Sequence, residues 1–333
     1  MLPIRDDNPV RNTPWVTMAI IALNVLAFLL WEPTFASGST AQERQEVFFF
    51  CHAEIPWETT HQTSLAQGGA SAREAMAADG LQPPGAYQDF LRQKCPGKSW
   101  VLSIFAAMFL HASFLHIGGN MLFLWIFGNN VEDKLGRIRY LLFYFASGLV
   151  ATAAQVAVNV NSATPNLGAS GAIAGVLGAY LVMFPRRRVL TLIFFFIITW
   201  VYLPAVVVLG AWFGLQLLSG IGAFGQRLHQ SGGVAFFAHI GGFTFGALMA
   251  LLFFPKEGFA SRPPPARPDM LGTGRRRRRR PIGGFPAPPG GLPPPTGGVP
   301  PMPGGPPGPR GDPPGPPGGT PPRSPPRPDY GFG

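Results

Sequence analysis

Four side chains suited to acyl transfer stand in otherwise apolar sequence: His116 and Asn120 in one segment, Ser170 in a second, His239 in a third. Ser170 belongs to the run Gly168-Ala169-Ser170-Gly171-Ala172-Ile173-Ala174-Gly175, which follows the polar stretch Asn159–Asn166 and passes directly into apolar Val176–Phe184. This reading sets a serine in the first turn of an apolar helix. Unpaired backbone N–H groups and the positive end of the helix dipole collect there, where a developing oxyanion is stabilised. His116 and Asn120 are four residues apart and share one helical face. Behind His239, Gly242 and Gly246 form a small-residue face, and Gly171, Gly175 and Gly178 form another behind Ser170. Packing the two faces together brings an imidazole to a hydroxyl, a base to a nucleophile. Each feature alone also has a packing explanation, since small residues let helices approach and a polar group inside a span is satisfied by a neighbouring helix. Their occurrence together is what points to chemistry.

The elements that must hold these groups are membrane-like. The chain is 47% hydrophobic and 13% charged over 333 residues, but the average conceals two regions that part near Pro255. After it, 12 Lys/Arg stand against 4 Asp/Glu, so most of the formal net charge of +10 belongs to the tail.

Met1 to Thr13 is polar, and residues 1–14 are expected to be a cytoplasmic N-terminus. Trp15 to Trp31 is just long enough to span a bilayer at about 1.5 Å per residue. A cleavable signal peptide is the rival reading, with Ala36-Ser37-Gly38 as its small-residue site. The length of the segment and the acidic pair Asp6-Asp7 before it favour a retained helix. Residues 32–99, with 8 acids against 5 bases, read as one long extracytoplasmic loop carrying short helices near Ala41–Phe50 and Ser71–Ala78. Both cysteines, Cys51 and Cys95, lie in it, and on an oxidising side they are a disulfide candidate. With so few ligands nearby, no metal site is expected despite His52 and His61.

Residues 100–255 are expected to supply five further spans. Val101–Phe127 is the second, followed by a charged turn from Gly128 to Arg139, and Tyr140–Val160 is the third. Ser170–Phe184 is the fourth, closed by Pro185 and Arg186–Arg188, which the positive-inside rule puts in the cytoplasm. Val189–Thr199 reads as an interfacial or partly inserted stretch, Leu203–Gly220 as the fifth span and Val234–Phe254 as the sixth. The fold class expected is therefore all-α: a polytopic six-span helical bundle in the cell membrane, both termini cytoplasmic, with a disordered tail. Ser170 and His239 then fall at one depth in the outer half. A helix unbroken from Trp100 sets His116 and Asn120 deeper than that pair. One that begins near His111, or after a dipping loop, sets all four level, and both readings stand.

The tail, residues 256–333, is rich in Pro, Gly and Arg and lacks the apolar side chains that would offset ordering entropy. Arg275–Arg280 suits anionic lipid headgroups. Nucleic acid is not expected as a partner, because no folded binding module or interleaved aromatics accompany the arginines.

The ordered set His111-Ala-Ser-Phe-Leu-His116-Ile-Gly-Gly-Asn120, then Glu132-Asp133-Lys134-Leu135-Gly136, Gly168-Ala-Ser170-Gly171 and Ala238-His239-Ile240-Gly241-Gly242 closely resembles rhomboid intramembrane serine proteases. The resemblance covers about Val101 to Phe254, and the first span is consistent in position. It implies a serine endopeptidase acting on transmembrane proteins in or near the bilayer, with Ser170 as nucleophile and His239 as general base. His116, Asn120 and the Ser170 N–H would form the oxyanion hole, Gly168 would shape the loop before the serine, and His111 would organise the site. No metal or organic cofactor is implied, and no His-Glu-x-x-His is present to suggest a zinc membrane protease. Two departures stand out: Trp100 is followed by Val101 where many bacterial members have arginine, and the cysteine-bearing loop is long. No acidic third member is evident, and a Ser-His dyad is adequate if packing fixes the imidazole tautomer. A catalytically inactive rhomboid-like protein that binds membrane clients, and a transporter relaying protons through His116 and His239, are the other classes.

Overall fold

The structure, a computed structural model, describes residues 1–35, 41–81, 83–194, 198–225 and 235–253. The tail 256–333 with Arg275–Arg280, and its expected disorder and lipid contacts, lies outside the described residues.

Strand β1 (Leu2–Asp6) leads to helix α1 (Trp15–Leu26), which continues as a π turn over Ala27–Trp31. The free N–H groups at the start of α1 are met by the buried Glu132 carboxylate, which accepts from Val16 N at 3.0 Å and from Thr17 N and Oγ1 at 2.7 Å. An acid at a helix N-terminus is favoured by the dipole. This explains why the segment from Gly128, expected to be a charged turn, is largely helical instead: Glu132 is buried against the start of α1, and Asp133 accepts from Arg11 N, Asn12 N and Asn12 Nδ2 just before it.

Between α1 and the bundle, the expected loop is a folded cap of four helices, α2 (Ala41–His52), α3 (Pro56–His61), α4 (Ala70–Ala78) and α5 (Pro84–Lys94). It has its own core around Phe50, Ile55, Trp57, Leu65, Met76 and Leu91. Cys51 and Cys95 are joined, with Cα atoms 5.1 Å apart. Inside it Lys98 Nζ meets Glu58 Oε2 at 2.6 Å and donates to Phe50 O at 2.7 Å, so the buried charges are paired.

The expected second span is broken. Helix α6 (Trp100–Ala107) ends, Met108–Ser113 runs without helix, and α7 (Phe114–Phe123) begins anew with the Ser113 hydroxyl accepting from His116 N. The break dips into the interior, Leu110 and His111 being fully buried. From Phe114 the helix continues through a π turn, Leu124–Gly128, into α8 (Asn129–Leu135), which stops at Gly136 in the left-handed region (φ 79°). Helix α9 (Arg137–Val158) follows at once.

Helix α10 (Ser170–Met183) is the axis of the molecule, with every residue from Gly171 to Tyr180 buried. It lies between α9 and α12 (Phe236–Phe253), and glycines set the separation. A Cβ on Gly178 would strike Phe243 O, and one on Gly246 would strike Gly175 O. The fourteen residues of α10 measure about 21 Å, short of a hydrocarbon core of about 30 Å. Among the described residues three helices, α9, α11 (over Ala205–Gly222) and α12, are long and apolar enough to cross a membrane, while Trp15–Trp31 and Ser170–Met183 are shorter apolar helices.

The fold is mostly helical, as expected, but not all-α: β2 (Arg188–Phe194) and β3 (Ile198–Pro204) are strands, and they set the conformation of the described part of the stretch expected to be interfacial or partly inserted. They form an antiparallel hairpin, and β1 adds antiparallel to β2 in the order β1-β2-β3. Alternating β-branched and aromatic residues suit a pleated sheet, and the chain returns to helix only after Pro204, at the start of α11 (Ala205–Gly225).

Candidate active site

Ser170 is the first residue of α10, and the chain reaches it through Gly168 at φ +124°, a conformation side chains rarely adopt. Gly168 N donates to Ala107 O at 2.8 Å, tying this turn to the end of α6. A Cβ on Gly168 would lie 2.9 Å from His116 Nε2, so the bare glycine leaves room for that ring.

The close contact of α10 with α12 sets His239 Nε2 2.7 Å from Ser170 Oγ. On its other side, His239 Nδ1 meets Gln216 Oε1 of α11 at 2.9 Å. An amide oxygen can only accept, so Nδ1 carries the hydrogen and Nε2 is left with a lone pair toward the serine hydroxyl. That is the tautomer a general base requires. Trp212, one turn before Gln216, tilts against the imidazole with ring centroids 5.8 Å apart.

His116 and Asn120 share a face of α7. Ala112 N donates to His116 Nδ1 at 3.4 Å, which leaves Nε2 as the hydrogen-bearing nitrogen, directed toward Gly168. Asn120 Nδ2 is buried without a hydrogen-bond partner. Such an unpaired donor is costly in a folded interior and is expected where another group will supply the acceptor. His111 packs edge-to-face on His116 at 5.0 Å, and its backbone N–H donates to Glu32 Oε1 at 3.0 Å. Because the helix starts at Phe114 behind a dipping loop, the structure follows the second of the two placements left open for His116 and Asn120.

A cavity of about 40 Å³ opens at Ser170, lined by Glu54, Met108, Gln155, Asn166 and Ala238 among others. A larger one, about 400 Å³, lies among Leu135, Arg139, Met183 and Phe253 and holds none of these groups. The segment before Ser170 is gripped by the cap. Asp79 Oδ2 accepts from Ser162 Oγ and Ala163 N at 2.7 Å and from Thr164 N and Oγ1 at 3.0 Å. Glu54 O takes Asn166 N at 2.7 Å, and its carboxylate takes Asn166 Nδ2 at 2.9 Å. Burial raises the Glu54 carboxyl above the usual carboxylate range, against the lowering effect of bonds from Thr59 and Asn166.

Thus Ser170, His239, His116 and Gly168 converge, with Asn120 on the His116 face and His111 beside it, while Cys51 and Cys95 sit in the cap. Gln216, Asp79 and Glu54 are additions that sequence reading did not single out. For Gln216 a signal exists, because it and Ser219 are the two polar side chains in Ala205–Gly222.

Residues 98–256 match the rhomboid domain. Among similar proteins, the mitochondrial rhomboid protein 1 of Saccharomyces cerevisiae is 31% identical over 151 residues, 44% of this chain and 40% of that protein. The rhomboid protease GluP of Bacillus subtilis is 35% identical over 121 residues, 36% of this chain and 22% of that one. The mitochondrial presenilin-associated rhomboid-like protein of Bos taurus is 34% identical over 82 residues, 24% of this chain and 22% of that one. The chain thus spans two fifths or less of the length of these relatives. The matched segment holds both Ser170 and His239, so the chain carries a rhomboid domain over residues 98–256.

Proposed function

We propose that the protein is an intramembrane serine endopeptidase that cleaves transmembrane protein substrates in or near the bilayer through a Ser170–His239 dyad. The observation that carries this reading is the hydrogen-bonded line Gln216 Oε1, His239 and Ser170 Oγ at the N-terminus of a buried helix. His239 Nε2 takes the Ser170 proton as Oγ attacks the scissile carbonyl. The tetrahedral oxyanion lies toward His116, Asn120 and the Ser170 N–H, the arrangement that stabilises developing charge without reorganisation. His239 then returns the proton to the leaving amine, and water hydrolyses the acyl-enzyme by the same base. In this reading six segments cross the cell membrane with both termini cytoplasmic. Trp15–Trp31 is the first, the helix from Phe114 the second, and α9 to α12 the rest. The short α10 keeps Ser170 below the bilayer surface, which restricts substrates to chains that can unwind within or beside the membrane.

A fluorophosphonate probe on the purified protein tests the reading. Covalent labelling at Ser170 that is lost in Ser170→Ala and His239→Ala, together with release of new termini from a reconstituted membrane-protein substrate, is the expected result. A folded protein that takes no label and cleaves nothing would instead be a client-binding rhomboid relative.

A further inference from the structure

The β1-β2-β3 sheet carries apolar side chains on both faces, and one of them packs on the protein. On the inner face Pro3, Val189 and Thr191 are buried and Val201 and Leu203 are half-buried. The outer face follows from the register, which pairs Leu2 with Leu192 and Leu192 with Trp200, and Leu190 with Tyr202. It therefore presents rows of Leu2, Leu190, Leu192, Trp200 and Tyr202, with Ile198 beyond them; Ile198 is 67%, Trp200 58% and Tyr202 50% exposed. Half-buried antiparallel sheets ordinarily alternate apolar with polar residues, and an uncovered apolar sheet with a free edge strand invites association. On this face Leu2, Leu190 and Leu192 are half-buried, and the exposed apolar surface is that of Ile198, Trp200 and Tyr202 on β3.

What would cover it is read from its surroundings. Strand β3 passes directly into α11, whose Ala205–Gly222 is long and apolar enough to cross a membrane. The sheet is therefore rooted at the end of a span, at headgroup level. Its aromatic residues are Trp and Tyr, the two enriched at that level. Cationic side chains flank the apolar ones: Arg5 lies opposite Leu190 and Arg188 opposite Pro204 in the register, Arg186 and Arg187 immediately precede β2, and Asp6 and Asp7 end and follow β1. Apolar side chains flanked by arginine suit a surface with anionic headgroups above acyl chains.

We propose that the outer face of the sheet lies in the lipid interface at the end of the bundle where α10 stops, with Ile198, Trp200 and Tyr202 among the acyl-chain ends and Arg5 and Arg188 at anionic headgroups. The sheet is then a membrane-seated collar joining the N-terminus to the base of α11. This goes beyond the proposed protease activity and does not depend on it.

The test uses the full-length chain, disulfide intact, reconstituted in phosphatidylcholine vesicles with and without phosphatidylglycerol. Single cysteines placed at Ile198, Thr199, Trp200, Val201 and Tyr202 carry an environment-sensitive fluorophore, and lipids spin-labelled near the carbonyl quench it. The expected result is a period of two: positions 198, 200 and 202 are quenched several-fold more than 199 and 201. Quenching should be stronger with phosphatidylglycerol and weaker in Arg5→Ala/Arg188→Ala. The tail arginines can draw the whole chain to anionic lipid but cannot produce alternation along β3. Equal quenching at all five positions, or free access of aqueous iodide to position 200, overturns the proposal. So does protection that follows protein density rather than lipid, which would assign the face to a second copy of the chain. A cysteine at exposed Arg73 in the cap reports whether each variant is folded and correctly inserted.

Discussion

Gln216 Oε1 stands 2.9 Å from His239 Nδ1 while Nε2 of the same ring stands 2.7 Å from Ser170 Oγ, so one amide on α11 orients the imidazole that faces the Ser170 hydroxyl on α10. Gln216→Ala should free the ring to turn, lowering kcat on the order of 10-fold, about 1.4 kcal/mol, with KM little changed. Gln216→Glu retains an acceptor and should recover most of the rate. Steady-state kinetics and the rate of fluorophosphonate labelling check both. Equal kcat in Gln216→Ala and the wild type would remove Gln216 from the site.

Ser170→Ala and His239→Ala should reduce cleavage to background, since one lacks the attacking atom and the other its proton acceptor. Asn120→Ala deletes one unpaired donor and should cost on the order of 10²-fold, or about 3 kcal/mol. His116→Ala should resemble it, and His111→Ala, one ring further out, should be milder. Cleavage of one reconstituted substrate across the series is the measurement. Activity surviving in Ser170→Ala but lost in both His116→Ala and His239→Ala would replace the serine with a histidine-centred function.

The α10–α12 contact has no room at its glycines. Gly178→Val drives a side chain into Phe243 O, whereas a Cβ at Gly214 of α11 meets nothing within 4 Å. Overpacking of this kind costs about 1–3 kcal/mol or more, and here it also separates His239 from Ser170. Gly178→Val should lower the thermal midpoint in detergent and abolish labelling. Gly214→Ala should do neither.

The cap carries the disulfide, with 44 residues of sequence separation, and grips the chain ahead of Ser170 through Asp79 and Glu54. A bridge of that span contributes about 3–4 kcal/mol to the closed segment. Cys95→Ser should therefore sensitise residues 41–98 to proteolysis and slow substrate cleavage. Asp79→Asn should slow it without that sensitivity. In freshly isolated membranes neither thiol should alkylate before reduction.

Burial raises the Glu32 carboxyl from 4.5 to about 7, only partly opposed by the bond from His111 N. The folded state holds this proton more tightly than the unfolded chain does, so the stabilisation is complete below about pH 4.5 and is lost as pH rises through about 7. The thermal midpoint of the wild type should fall across that window relative to Glu32→Gln, which has no proton to lose. Parallel curves for the two proteins would show that Glu32 titrates normally.

What could be read without a structure was whatever local pattern and spacing encode. Ser170 at the head of a glycine-faced helix, His116 and Asn120 one turn apart, and His239 before Gly242 and Gly246 all rest on the 3.6-residue period and on small residues allowing close approach. The long apolar runs behind α9, α11 and α12 were legible for the same reason. Partners remote in sequence were not. The expected charged turn became helix because Glu132 found the free N–H groups of α1, and the expected loop 32–99 became a folded cap because its scattered apolar side chains close on one another around Trp57. Arg188–Phe194 is strand because Leu2–Asp6 and Ile198–Pro204 offer backbone partners on either side, which local pattern alone did not reveal. Between a helix unbroken from Trp100 and one that starts behind a dipping loop the sequence did not choose; Leu110 and His111 packing inward, with Ser113 capping a new helix, decides for the loop. Gln216 was one polar residue among apolar ones until α11 and α12 came together, and only that packing made it the group that orients His239.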